Sequence, residues 1–485
     1  MRLSSLAADL ARLIGQDREV TGLALDSRAV RAGDLFAALP GSRVDGTGYA
    51  AAAVRAGAAA VLGDRRLLDQ PLGVPLLVAA DPRAALARIA ARFYGAQPRQ
   101  LVAVTGTSGK TSVAGFTRQL WQGLGRQAAS LGTLGVVAPG LERPAPLTTP
   151  DPISLHATLA ELTRAGVGHA VLEVSSHALD QRRVDGLALV AAAFTSLSRD
   201  HLDYHGTMEA YLAAKLRLFE ELLPAGAVAV LNADVPEAEA IAAIARRRGL
   251  EVLDFGRAAR RLCLVGQTAL PHGQHLELVL DGRRRTVETA LIGAFQAHNL
   301  LAALGLVVAT GEPIEAAAGL LGGLSGAPGR MQHVADHPSG AAVYVDYAHK
   351  PDALAQALTA LRPHARARLH VVFGCGGDRD AGKRPEMGAI AARLADRVIV
   401  TDDNPRSEDP AAIRRAILAA CPGAIEIGDR RAAIAAALDR LGEGDLLLVA
   451  GKGHETYQIV GETVSPFDDS AVVRELLGCR PGAGR

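Results

Sequence analysis

LVAVTGTSGKTS, residues 101–112, is the stretch from which the fold can be read. The apolar run LVAVTG (101–106) has the length and composition of a buried strand, and a helix is predicted to begin near Lys110. Between them lies a glycine-rich turn whose successive backbone N–H groups, Gly106, Thr107, Ser108, Gly109, Lys110, Thr111 and Ser112, can wrap a phosphate. Glycine at 106 and 109 lets the backbone approach closely where a Cβ would clash. Lys110 can reach the β- and γ-phosphates, and the Thr111 hydroxyl is placed for Mg²⁺. Val104 stands where the strict P-loop has its first glycine, so the motif is the variant TGTxGKT. Strand, loop and helix in this order predict a nucleoside-triphosphate site.

Outward from this loop, strand-like segments alternate with helical ones. HAVLEVSS (169–176), LALVAAAFTSL (187–197) and AVAVLNAD (227–234) continue the pattern, which predicts a parallel α/β sheet. Upstream, short strands and an alanine-rich helix end at ARFYGAQPRQ, where Pro98 marks a linker. GAPGR (326–330) marks a second boundary. Beyond it AVYVDYAH, RLHVVFGCGG, DRVIVTDDN and DLLLVAGKG each end in polar or glycine residues, with helical spacing between them. Open α/β sheets bind ligands at that edge. The expected organisation is therefore 1–96, 97–328 and 329–485: an N-terminal α/β domain, a central P-loop parallel-sheet domain and a C-terminal Rossmann-like α/β domain. A length of 485 residues agrees, at about 150 residues per domain.

Composition narrows the partners. Lysine plus arginine number 52 against 51 acidic residues, so no general attraction to nucleic acid or an anionic membrane is expected. Cys263, Cys375, Cys421 and Cys479 form no CxxC pair, which argues against a zinc site or a disulfide framework. Asp9 and Arg12 interrupt any signal-peptide core, and no apolar run reaches the roughly 18 residues that span a bilayer. A cytoplasmic, monomeric protein is expected.

Three further segments accompany the loop: EVSSH (173–177) followed by Gln181 and Arg183, DHLDYHG (200–206) preceding Lys215, and AFQAHNLLAA (294–303) leading to Gly329-Arg330. Together with TGTxGKT they resemble the Mur ligase family, over nearly the whole chain from Leu25 to Glu455. The resemblance implies an ATP-dependent ligase in which a carboxylate is first phosphorylated and the acyl phosphate is then attacked by an amine. It implies two Mg²⁺ ions, with Thr111, Glu173, His201 and a CO₂-carbamylated Lys215 (N6-carboxylysine) as metal-side groups, and Lys110, Lys215, His201 and Glu173 as the catalytic set. A buried strand-end carboxylate such as Glu173 is costly without a cation, and Mg²⁺ prefers hard oxygen ligands. A partly desolvated lysine favours the neutral amine that reacts with CO₂. The family pattern also puts Asn299, at the start of a helix, and Arg330 and Asp346 on the nucleotide.

LDSRAVRAGDLFAALPGSRVDG (25–46) resembles the family's uridine-binding frame, so Leu25, Ser27, Ser42, Arg43 and Val44 are expected on a UDP-sugar. Thr148 and Thr149 of LTTPDP, Ser175, Gln181 and Arg183 are expected on a muramoyl-dipeptide. The C-terminal segments GCGGDRDAGKRPEM (374–387), DDNPRSEDP (402–410) and GKGHE (451–455) carry the amino-acid site. DNPR (403–406) matches the branch of the family that adds meso-2,6-diaminopimelate to UDP-N-acetylmuramoyl-L-alanyl-D-glutamate, a step of peptidoglycan precursor synthesis. That acceptor differs from lysine by one carboxylate, which the planar fork of Arg406 can take bidentately. Arg379, Asp403, Asn404, Pro405, Gly451 and Glu455 complete the expected pocket, with Asp403 and Glu455 facing ammonium groups.

Two departures touch the nucleotide region: Ser108 replaces a frequent asparagine, and Lys350 follows DYAH where threonine is common. Folylpolyglutamate synthases share the loop and the acyl-phosphate chemistry but have no use for the N-terminal frame or for DNPR. A P-loop GTPase switch would need a guanine-reading Asn-Lys-x-Asp segment, which the sequence lacks. An inactive homologue does not fit the presence of Lys110, Glu173, His201 and Lys215 together.

Overall fold

The computed structural model describes residues 1–41, 45–270 and 272–478. Ser42, Arg43 and Val44, expected on the UDP-sugar, lie outside the described residues. The chain divides into two compact units, Met1–Leu262 with Leu301–Ala318, and Cys263–Leu300 with Gly319–Arg485.

The first unit holds two sheets. Its N-terminal sheet runs in the order Arg12–Ile14, Leu76–Val78, Ala60–Gly63, Asp34–Ala37, Gly22–Ala24, parallel except for the first strand. Strand periodicity puts Leu35 and Leu62 into a core with Leu86 and Ile89 on one face, and Phe36 and Val61 into a core with Leu67 on the other. Both faces are buried, as a parallel sheet requires.

The central sheet carries six parallel strands in the order Glu251–Gly256, Val228–Asn232, Leu189–Phe194, Gln100–Thr105, His169–Glu173, Ala128–Gly132. Gln100–Thr105, the first of these in the chain, lies in the middle, so the strand order reverses beside it, and the turn at its C-terminal end sits at that switch point. Val102, Val104, Val171 and Leu172 are fully buried, each contributing about 1.5–3 kcal/mol by leaving water.

In the second unit six strands run Gln332–Asp336, Ala342–Asp346, Leu446–Ala450, Leu369–Phe373, Arg397–Val400, Ile425–Glu426. All pairs but the first are parallel. The loops after Leu369–Phe373, Arg397–Val400 and Leu446–Ala450 therefore leave adjacent strands at one edge. A two-stranded hairpin, Tyr457–Val460 with Thr463–Pro466, follows the last of them. Among the described residues no helix is long and apolar enough to cross a membrane.

Candidate active site

The helix after the central strand spans Lys110–Gly123, starting where the sequence puts it. Gly109 enters it at φ 87° and no side chain caps the first turn, leaving its N–H groups to an anion. Gly106 has φ 143°, and a Cβ there would stand 1.9 Å from Thr195 Oγ1. The neighbouring strand's C-terminal extension braces the loop. Thr195 Oγ1 donates to Ser108 O at 2.7 Å, Thr107 N to Ser196 O at 2.8 Å, and Ser198 N to Thr107 Oγ1 at 3.0 Å. Lys110 Nζ folds over the loop and donates to Gly106 O and Thr107 O, both at 2.9 Å.

Glu173 ends the next strand and is 2% exposed. Its carboxylate accepts from Thr111 Oγ1 at 2.9 Å and from Thr133 N at 3.0 Å. Room for it exists because residue 132 is glycine; a Cβ there would lie 2.0 Å from Glu173 Oε1. Among the described residues no group of three or more His, Cys, Asp or Glu side chains gathers as a metal cage. One carboxylate and one hydroxyl beside a phosphate loop suit Mg²⁺, which keeps water and phosphate oxygens for its remaining positions.

Lys215 lies on the helix Met208–Arg217 and is 1% exposed. Its Nζ donates to Gly106 O at 2.8 Å and sits 4.4 Å above the centre of the Tyr211 ring. Burial, reinforced by the charge of Lys110, pulls its pKa well below the usual lysine range. Tyr211 in turn meets Thr107 Oγ1 at 3.1 Å, and burial raises its phenol to about 12. His201 takes a left-handed backbone, φ 54°, and joins rings with His177 at 4.8 Å and Tyr211 at 6.3 Å; its Nε2 is 3.5 Å from Asp200 Oδ2. His177 is held towards its neutral form by burial and then by His201 and His205.

Around the Glu173 strand end, Thr149 Oγ1 donates to Glu173 O at 2.9 Å and accepts from Ser175 N at 3.1 Å, while Thr148 Oγ1 meets Thr133 Oγ1 at 3.1 Å. Arg183 donates to Gln181 Oε1 at 3.0 Å and Thr149 O at 3.0 Å. The dipeptide residues expected from sequence in this unit, Thr148, Thr149, Ser175, Gln181 and Arg183, thus form one connected group. In the N-terminal sheet's loops, Leu25 is 38% exposed and Ser27 opens a short turn capped by Asp26.

The second unit brings together the three loops expected from sequence to carry the amino-acid site. Arg406 has φ 52° and is half-buried, and its Nη1 donates to Gly377 O at 2.8 Å. Sequence alone leaves this guanidinium without a protein partner when the acceptor is absent; the Gly377 carbonyl supplies one. Asn404 Nδ2 donates to Glu455 Oε2 at 3.0 Å. Burial, then Asp403, raises the Glu455 pKa. Gly451 has φ 117°, and a Cβ there would lie 2.9 Å from Asp403 Oδ2. Arg379 is exposed, with Nη1 3.4 Å from Asp378 O. Sequence reasoning passed over Lys452, which is fully buried and donates to Asn404 Oδ1 at 2.9 Å, with Asp403 Oδ1 at 3.4 Å.

Arg330 stacks its guanidinium 4.7 Å over the Tyr347 ring, and Asp346 accepts from Met331 N at 2.7 Å. Burial raises the Asp346 pKa, against the pull of Arg330. Asn299 is buried and donates to Gln296 Oε1 at 3.0 Å. Its helix spans Phe295–Ala309, so Asn299 lies one turn inside it and not at its start.

Three family models match the chain: "Mur ligase family, catalytic domain" over residues 19–94, "Mur ligase middle domain" over 104–307, and "Mur ligase, glutamate ligase domain" over 329–453. A UDP-N-acetylmuramoyl-L-alanyl-D-glutamate–2,6-diaminopimelate ligase of Mesorhizobium japonicum is 55% identical over 461 residues, covering 95% of each chain. A solved structure of a ligase with the same name is 35% identical, with a TM-score of 0.73 over 99% of both chains. A folylpolyglutamate synthase from Mycobacterium tuberculosis is 21% identical, with a TM-score of 0.61 over 76% of this chain and 92% of its own, a likeness of fold alone. With an α/β segment under each of the three models, the chain belongs to the Mur ligase family.

Proposed function

We propose that this chain is an ATP-dependent ligase that adds meso-2,6-diaminopimelate to the D-glutamate carboxylate of UDP-N-acetylmuramoyl-L-alanyl-D-glutamate, in cytoplasmic peptidoglycan precursor synthesis. The observation that carries the reading is Arg406, held among the three strand-end loops beside Asn404 and Glu455. The names of close, near-full-length relatives support the same substrates.

The chemistry divides among the segments 1–96, 97–328 and 329–485, proposed to hold the UDP-sugar, ATP and the amino acid. Backbone N–H groups of residues 106–112 and Lys110 hold the phosphates in line with the substrate carboxylate, so that its oxygen takes the γ-phosphoryl group. Mg²⁺ at Thr111 and Glu173 would offset the combined negative charge of phosphate and carboxylate. Thr133 and Thr111 fix the Glu173 carboxylate, and Gly132 leaves it space. Lys215, desolvated on Gly106 O, is suited to react as a neutral amine with CO₂, and as the carbamate it would join His201 in holding the metal. Thr148, Thr149, Ser175, Gln181 and Arg183 position the dipeptide; Asn299, Arg330 and Asp346 contact the nucleotide. Arg406 and Arg379 take the acceptor's carboxylates, and Asp403 and Glu455 its ammonium groups. The amine attacks the acyl phosphate and phosphate leaves.

Phosphate release with the UDP-muramoyl-dipeptide, ATP and either diaminopimelate or lysine tests this directly. Turnover with diaminopimelate and little with lysine is expected; no turnover with either amine overturns the ligase reading.

A further inference from the structure

Acceptor specificity has been placed on Arg406, yet its neighbours along the chain do not explain why its guanidinium points where it does. Arg406 stands at φ 52°, a left-handed conformation that costs a side-chain-bearing residue free energy unless its surroundings impose it. Those surroundings are the hairpin Tyr457–Val460 with Thr463–Pro466. Arg406 N donates to Ile459 O at 3.1 Å, and Gly461 N to Arg406 O at 2.7 Å. Ile459 N donates to Asn404 Oδ1 at 3.0 Å, and Gln458 Nε2 to Asp403 O at 2.8 Å. The Asp403–Arg406 backbone is thus clamped to an element more than fifty positions later in the sequence.

Lys452 ties this assembly together. Its side chain is 0% exposed, and Nζ reaches two pieces of chain, Asp403–Asn404 and Glu455–Tyr457. It donates to Asn404 Oδ1 at 2.9 Å in the DNPR loop and to Tyr457 O at 2.7 Å at the hairpin's first residue. It also lies 3.4 Å from Asp403 Oδ1 and 3.9 Å from Glu455 Oε2. Asp403 Oδ1 is buried and makes no hydrogen bond, so the ammonium is its charge partner. A buried ammonium is tolerated only when paired and hydrogen-bonded, and here every partner belongs to the acceptor pocket or to its hairpin.

We propose that Lys452 is a positioning residue for acceptor specificity, locking the Asp403–Arg406 loop onto the Tyr457–Pro466 hairpin so that Arg406 and Glu455 keep the spacing of a two-carboxylate, two-ammonium amino acid. The proposal rests on the acceptor reading above. Lys452 touches no reacting atom; it acts through Asn404, Asp403 and the hairpin.

Lys452→Met keeps the side-chain length and removes the ammonium, and Gln458→Ala removes one clamp from the hairpin side. Steady-state KM values for diaminopimelate, ATP and the UDP-dipeptide, and the kcat/KM ratio of diaminopimelate over lysine, are measured for both variants and wild type. Lys452→Met is expected to raise KM for diaminopimelate roughly tenfold or more, the loss typical of hydrogen bonds to a charged group, with the other two KM values within about twofold. Its diaminopimelate-over-lysine ratio should fall. Gln458→Ala should shift the same quantities in the same direction by a few-fold, and it decides the matter if Lys452→Met does not fold. Equal changes in all three KM values, or an unchanged ratio, overturn the proposal. If wild type itself accepts lysine as readily as diaminopimelate, the acceptor reading falls instead.

Discussion

His156 lies on the helix Pro152–Arg164, 1% exposed, inside the unit that carries the phosphate loop. Neither ring nitrogen makes a well-formed hydrogen bond, and burial pulls its pKa from 6.5 to about 4, against a weaker backbone interaction with Asp185. Because the folded pKa lies below the unfolded one, the unfolded chain binds the proton first. The stability tied to the neutral ring is therefore complete above the unfolded value of 6.5 and is lost as pH falls towards about 4. Two-state linkage gives a loss of about 2 kcal/mol between about pH 7.5 and about pH 5, approaching about 3 kcal/mol below the folded pKa. His156→Leu removes the titration and keeps an apolar core residue. The sole tryptophan, Trp121, is fully buried in the same unit, so its emission during urea unfolding follows this part of the molecule. Other groups titrate in the same window, but they are common to both proteins. The wild-type loss should exceed the variant's by about 2 kcal/mol. Equal losses would mean that His156 is protonated, or already solvated, in the folded state.

Gly132→Ala drives a Cβ into Glu173 Oε1 and should lower kcat more than about a hundredfold while far-UV circular dichroism stays native; near-normal turnover would remove Glu173 from the proposed metal side. Arg406→Ala should raise KM for diaminopimelate by roughly tenfold to a hundredfold and leave KM for ATP nearly unchanged, checked by initial rates. Lys215→Ala should lose activity and recover part of it with short carboxylates, and ¹³C-bicarbonate should label wild type but not the variant; absence of both effects would exclude the carbamate.

Much of the phosphate loop was legible because its parts are contiguous: strand, glycine turn and helix follow one another in LVAVTGTSGKTS, and the helix begins at Lys110 as its sequence predicts. The strand-end position of the loops proposed to hold the acceptor was legible for a related reason, since each polar segment directly follows an apolar strand. What escaped was contributed from a distance. Thr195 looks like any strand-end threonine until parallel pairing carries it to Gly106 and Ser108. Tyr211 reads as a core aromatic one turn before Lys215, and its hydroxyl finds Thr107 only in three dimensions. Lys452, inside the quoted GKGHE, carries a charge that would ordinarily be solvated; two acidic residues from other positions and a hairpin carbonyl reverse that expectation. The start of the helix at Phe295 was missed because apolar periodicity does not mark its first turn.

The middle position of Gln100–Thr105 in its sheet also governs when the molecule can first work. Its two flanking partners are His169–Glu173 and Leu189–Phe194, and the hydrogen bonds that brace Thr107 and Ser108 come from Ser196 and Thr195. A nascent chain emerging from the ribosome therefore carries the whole TGTSGKT motif for some ninety residues, by order of magnitude, before the strands that shape it exist. Truncated translation products ending ahead of that point would possess the motif and fail to retain nucleotide.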